Sequence, residues 1–157
     1  MNSKPIRTGI LFVVAGLAWY VMMQLYFVRS GAQNILANPA YQSGKFLEVF
    51  MQLKPLPRMA TEPNFVLMGF FVCGIFLAGA FLIINSWMSG GWVKRGLLFG
   101  LIQWLLMAPW FEFYLPYNVM CEPLLLVLFE GLLWLATSIS TALILSFIVN
   151  FNFRSNK

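Results

Sequence analysis

A chain of 157 residues is about one domain long, but 61% of this one is apolar, 10% is charged and its mean hydropathy is +0.80. Such a composition excludes a water-soluble domain. The absence of histidine also excludes His-ligated haem and the usual His-rich metal sites, while the net charge of +5 carries information through its distribution rather than its sum.

Crossing a hydrocarbon core of roughly 30 Å takes about 20 predominantly apolar residues, and four segments meet that length, at about 9–28, 65–87, 92–115 and 124–149. Lipid offers no partners to a bare backbone, so these segments must be helices, and their near-continuous apolar runs exclude the alternation of barrel strands. The expected fold is all-α: a single integral membrane domain over residues 1–157, built as a four-helix bundle.

Span 1, "GILFVVAGLAWYVMMQLYFV", has a longer apolar run than the 7–15 residues of a signal-peptide core, and Arg29 interrupts the zone where a peptidase would cut. It reads as an uncleaved first helix. Gly9, Ala15, Gly16 and Ala18 give it a small-residue half, with Tyr20, Gln24 and Tyr26 toward the other end. The 29–64 connection is too short for a domain with its own core. Within it, "KFLEVFMQLK" sets Lys45, Glu48 and Gln52 on one helical face and Phe46, Val49, Phe50 and Leu53 on the other, before Pro55 and Pro57. That pattern predicts a short amphipathic helix, lying at the membrane interface or folded over the mouth of the bundle as a lid.

Span 2 pairs small residues four apart, Gly74 with Ala78, and span 3 does the same with Gly96 and Gly100; such pairs predict close helix–helix contacts within the bundle. Pro109 predicts a kink late in span 3, among Trp104, Trp110, Tyr114 and Tyr117, which read as an interfacial aromatic belt. Span 4 carries Thr137, Ser138, Ser140, Thr141 and Ser146 in its second half. Ser and Thr side chains can bond within their own helix, so these positions alone do not mark a polar pathway. Cys73 and Cys121 are far apart in depth and form neither a disulfide framework nor a redox motif.

Lys4, Arg7, Lys94, Arg95, Arg154 and Lys157 all fall on one side of these spans, whereas Arg29, Lys45, Lys54 and Arg58 on the other are balanced by Glu48, Glu62, Glu112 and Glu122. The positive-inside rule then puts both termini in the cytoplasm. Short connections and a compact plan fit a bacterial cytoplasmic membrane.

The stretch "LLLVLFEGLLW" holds one carboxylate, Glu130, in an otherwise apolar run. Sixteen Leu, Ile, Phe and Val residues between Leu124 and Val149, at about 0.3–0.6 kcal/mol each, outweigh a penalty of roughly 2.5–3.5 kcal/mol, so insertion alone does not demand a function for it. Its company is more telling. Gln24 and Arg29 on span 1, Glu112 on span 3 and Glu130 all belong to the outer third of this topology, where the acids would converge with Arg29 as a counter-charge. The alternative is that both carboxylates are interfacial, or bonded between helices.

There is no phosphate loop, metal-ligand spacing or nucleophile elbow, so neither an enzyme nor a cofactor is expected, and no nucleic-acid partner. The expected partners are the bilayer and another membrane protein or further copies of the chain. Few polar residues within spans 1 and 2 favour a non-catalytic accessory or structural subunit. The competing reading is a small oligomeric transporter or channel that binds a cation or proton around Glu130.

Overall fold

A computed structural model describes residues 3–154; Lys157, one of the charges counted toward the cytoplasmic side, lies outside them. Helix α1 (Ser3–Met23) continues as a π-helical segment over Gln24–Arg29; the loop that follows contains α2 (Ala32–Leu36), α3 (Gly44–Leu47, π-helical from Glu48 to Gln52) and α4 (Arg58–Thr61). Three long helices complete the fold: α5 (Pro63–Asn85), α6 (Trp92–Glu112, π-helical from Phe113 to Val119) and α7 (Leu124–Arg154). No strand occurs among the described residues.

Four helical stretches, α1 and α6 counted with their π-helical continuations, are long and apolar enough to cross a bilayer: Arg7–Arg29, Met68–Asn85, Trp92–Val119 and Leu124–Phe151. Leu106, Phe76, Ile83 and Leu125 point outward and are at least 68% exposed. In water such a surface would aggregate; in lipid it is the proper solvent-facing side. The molecule is a multi-pass membrane protein with an all-α bundle architecture.

Small residues decide which helices meet. A Cβ at Gly74 would collide with the backbone of Gly16 and come 2.7 Å from the Ala15 carbonyl carbon, so α5 lies directly on α1. A Cβ at Gly96 would come 2.9 Å from Leu143 Cα, and one at Gly100 2.7 Å from Ile139 Cα, which clasps α6 to α7 in antiparallel register. Both small-residue pairs thus act inside the bundle. The α1 helix also packs along α7, but α5 barely touches α6 or α7. The four helices therefore form a row, α5–α1–α7–α6, folded until its ends approach without sealing.

The apolar core sits toward the end that carries the chain termini, built from Leu11, Ala15, Ala78, Phe81, Phe99, Ala142, Leu145 and Val149. Phe81 and Phe99 meet edge to face at 5.0 Å between ring centres. At that end Arg95 donates from Nη1 to Asn85 Oδ1 (2.9 Å) and from Nη2 to Asn150 Oδ1 (3.2 Å), tying α5, α6 and α7 together. Ser146 Oγ donates to the Trp92 carbonyl, 2.7 Å away.

The opposite end is covered in part by the loop. Ser43 caps α3 by accepting from the Phe46 N–H (2.9 Å), and its hydroxyl donates to the Met120 carbonyl (2.5 Å) in the α6–α7 turn. The amphipathic helix expected from the sequence is present over Gly44–Gln52, with Phe46, Val49 and Phe50 half-buried and Lys45 and Glu48 exposed. Trp110, Phe113, Tyr114 and Tyr117 are exposed at this end, with Trp110 and Tyr114 stacked at 5.4 Å, whereas Trp104, expected among the belt aromatics, is half-buried and donates its indole N–H to the Gly131 carbonyl of α7 at 2.8 Å.

Candidate functional site

The register of α6 on α7, carried forward from Gly100 and Ile139, brings Glu112 level with residues 127–130 of α7. Glu112 is only 2% exposed, and neither carboxylate oxygen has a hydrogen-bond partner. Its charged neighbours are further acids: Glu112 acts on Glu130, and Glu122 acts on both. The indole N–H of Trp134 on α7 faces Glu112 without closing a hydrogen bond of proper geometry.

Glu122 occupies the α6–α7 turn, 5% exposed, with its backbone N–H donating to the Pro116 carbonyl at 3.0 Å. Burial pushes its carboxyl above the ordinary carboxylate range, against the opposing pull of the Gln42 side-chain amide beside it. The turn itself is tight. Cys121 takes a left-handed conformation at φ 57°, and the Met120 N–H donates to the Leu115 carbonyl at 2.9 Å. This places Glu122 under the loop instead of out in solvent.

The sequence-derived set is thus divided. Glu112 and Glu130 are brought within electrostatic reach of each other, and Gln24 is half-buried where the π-helical segment begins. Arg29 is exposed at the loop end and is not among the charges that act on Glu112, Glu122 or Glu130. Glu122 escapes a reading from sequence because it stands in a loop, where it looks like one more balancing surface charge. Gln103 escapes it too, although a lone amide in "LIQWLL" is a visible signal. It is 8% exposed with both amide atoms unpartnered, and the hydroxyls of Ser138 and Thr141 are likewise buried without partners. Thr137 instead bonds back to the Leu133 carbonyl at 2.9 Å, as hydroxyls within helices commonly do. Buried polar groups of this kind are the ones that water or a ligand ordinarily satisfies.

Beside the acids lies a cavity of about 340 Å³ between α5 and α6, with Trp19 and Trp134 also in its lining. Glu112 is the one acid along it, but both carboxylate oxygens are buried away from the cavity, whose open wall is apolar, with Phe70, Phe76, Met107 and Phe111 in it. Trp19 and Trp134 stack at 6.0 Å between ring centres, and Phe27 adds a third ring at 5.0 Å from Trp134. Among the described residues no group of three His, Cys, Asp or Glu side chains could hold a metal ion, so the acids interact without converging into a chelate.

Compared with protein-family models, curated proteins and solved structures, the chain matches none.

Proposed function

We propose that this multi-pass membrane protein is a non-catalytic proton-binding protein of the transporter class, with Glu112 and Glu130 as the groups that hold and exchange the proton. The observation that carries the reading is Glu112, buried, unpartnered and neighboured by acids instead of by Arg or Lys. Removing an ion from water without a partner costs several kcal/mol, on the order of what a whole fold has to spare. Three interacting acids cannot all stay ionised there, so protons are the simplest neutralising agent. The partnerless Gln103, Ser138 and Thr141 extend the polar character deeper between α6 and α7.

The positive charge around the chain termini supports placing that end in the cytoplasm, which opens the acidic end to the far side of the membrane. Four spans enclose little on their own, so oligomers complete the pathway. The test combines infrared difference spectra between acid and alkaline pH with proton flux into proteoliposomes carrying a lumenal pH dye. The protonated-carboxyl band and the flux should both diminish in Glu112→Gln and Glu130→Gln. A band and flux identical to those of the unaltered protein would remove the reading.

A second reading is an accessory subunit that packs with another membrane protein. It is favoured by α5, which packs mainly on α1 and leaves most of the α5–α6 side open to a partner helix. Co-purification of a stoichiometric membrane partner in mild detergent, with no flux from the isolated chain, would select it.

A further inference from the structure

We propose that the loop carrying α3 is a proton-operated lid over the acidic end of the bundle, latched to the α6–α7 turn while Glu122 is neutral and released when Glu122 ionises. The inference goes beyond the proton-binding reading and stands apart from it, because Glu122 lies in the turn, between the spanning stretch that ends at Val119 and the one that begins at Leu124.

The latch is small. Among the described residues, α3 and its π-helical continuation pack on each other and make no extensive contact with a spanning helix. The loop is anchored at its two ends instead, through α2 on Gln24–Arg29 and through α4 on α5. Two adjacent residues tie down its middle. Ser43 donates its hydroxyl to the Met120 carbonyl at 2.5 Å, and the Gln42 side chain lies beside Glu122. A segment held in this way can lift between fixed ends by losing a few polar contacts, without disturbing the clasped spans.

The state of Glu122 decides whether those contacts hold. Gln42 Nε2 donates to the Leu36 carbonyl at 2.5 Å, which fixes the orientation of the amide and leaves Oε1 as an acceptor. Gln42 Oε1 and one Glu122 oxygen, Oε2, are both buried without a hydrogen-bond partner. Acceptors cannot satisfy one another, whereas a protonated carboxyl brings an O–H donor to the contact. An ionised Glu122 would instead be held from water at 5% exposure, with a neutral amide facing it from the loop. The charged groups that interact with it from the spans are Glu112 of α6 and Glu130 of α7, which oppose a further negative charge. Arg29, Tyr41, Lys45, Glu48 and the neighbouring Cys121 are all exposed. Burial therefore outweighs the pull of the Gln42 amide and raises the carboxyl above its ordinary range. By linkage the lid is fully latched in acid, and it loosens as pH rises from the ordinary carboxylate range through the higher value of the closed form.

Hydrogen–deuterium exchange of the full chain in nanodiscs, read by mass spectrometry over residues 38–52 and corrected for the intrinsic rate at each pH, tests the lid. Protection of those amides should fall about tenfold or more from acid to alkaline pH, while peptides from the α6–α7 clasp stay unchanged. Glu122→Gln should keep the loop protected throughout, and Ser43→Ala should lower its protection at every pH. If the glutamine variant fails to assemble, Glu122→Ala takes its place, since any neutral residue should make protection independent of pH. A loop whose protection ignores pH in the unaltered protein, or a fall that persists in Glu122→Gln, overturns the proposal. Glu112→Gln and Glu130→Gln should retain the transition, so the proton-binding reading can fail while the lid survives. A transition lost in either of those variants assigns the switch to the spans and overturns the role of Glu122.

Discussion

The contact between α1 and α5 makes a sharp test of the packing, because the two glycines that let the helices approach can be compared with glycines on the same helix that touch nothing. A methyl group at Gly74 would overlap the Gly16 Cα and amide nitrogen and lie 2.7 Å from the Ala15 carbonyl carbon. Carbon atoms at rest sit about 3.5–4.0 Å apart, so Gly74→Ala must push two backbones apart by roughly 1 Å. A gap of that size forfeits about a quarter to a half of each dispersion contact along the seam. The seam holds Ala15 and Ala78, both fully buried, and it is nearly all that α5 has. Overpacking typically costs about 1–3 kcal/mol, from which up to about 1 kcal/mol of regained helix propensity must be subtracted. The net expectation is a loss of about 1–2 kcal/mol. Gly79→Ala adds a methyl with nothing within 4 Å and should be neutral or stabilising by up to about 1 kcal/mol. Both variants can be unfolded by SDS in mixed micelles, with tryptophan fluorescence as the signal. Indistinguishable midpoints for the two would refute the close-approach argument.

Three other substitutions probe separate parts of the fold. Arg95→Ala should destabilise by about 1–3 kcal/mol, since Asn85 and Asn150 each lose a donor, and Arg95→Lys should not restore it, because one ammonium cannot reproduce the forked geometry; SDS midpoints decide both. Cys121→Asn should raise the melting temperature by the equivalent of up to about 1 kcal/mol, because Asn tolerates the left-handed backbone better than Cys does; an unchanged or lower melting temperature counts against strain at this turn. For Glu122, the folded protein holds its proton to higher pH than the unfolded chain, whose carboxyl titrates near 4.5. Its contribution to stability is therefore complete in acid and shrinks as pH rises from about 4.5 through the higher folded value. Melting curves in detergent should show that decline, and Glu122→Gln should flatten it.

The spans are legible in the sequence because twenty apolar residues in a row have one stable conformation in lipid, and Gly96 with Gly100 announces a helix contact that the structure places on α7. Arg29 shows where legibility ends. Helical faces follow from sequence on a period of 3.6, yet Gln24–Arg29 is π-helical, with more residues per turn, and the phase carried to Arg29 drifts until the guanidinium points outward. Glu122 is illegible for another reason. Its burial depends on the reversal at Cys121 and on Gln42 arriving from a distant loop, neither of which leaves a periodic trace. Pro109 stays within α6, and the departure from α-helical geometry begins after Glu112, over a stretch that contains Pro116. The pairing of α1 with α5, and the weak contact between α5 and α6, follow from three-dimensional fit that hydropathy does not encode.

The unequal lengths of the spanning helices carry a mechanical implication. Helix α5, 23 residues long, reaches about 34 Å at 1.5 Å per residue, near the thickness of a hydrocarbon core, whereas the 28-residue apolar stretches of α6 with its π-helical continuation and of α7 are longer by several ångströms and must lean further to fit. Bilayer thickness then sets the slope of the clasped pair against a shorter neighbour. Acyl-chain length becomes a dial on the width of the slot separating them: thin membranes splay it, thick ones draw it shut.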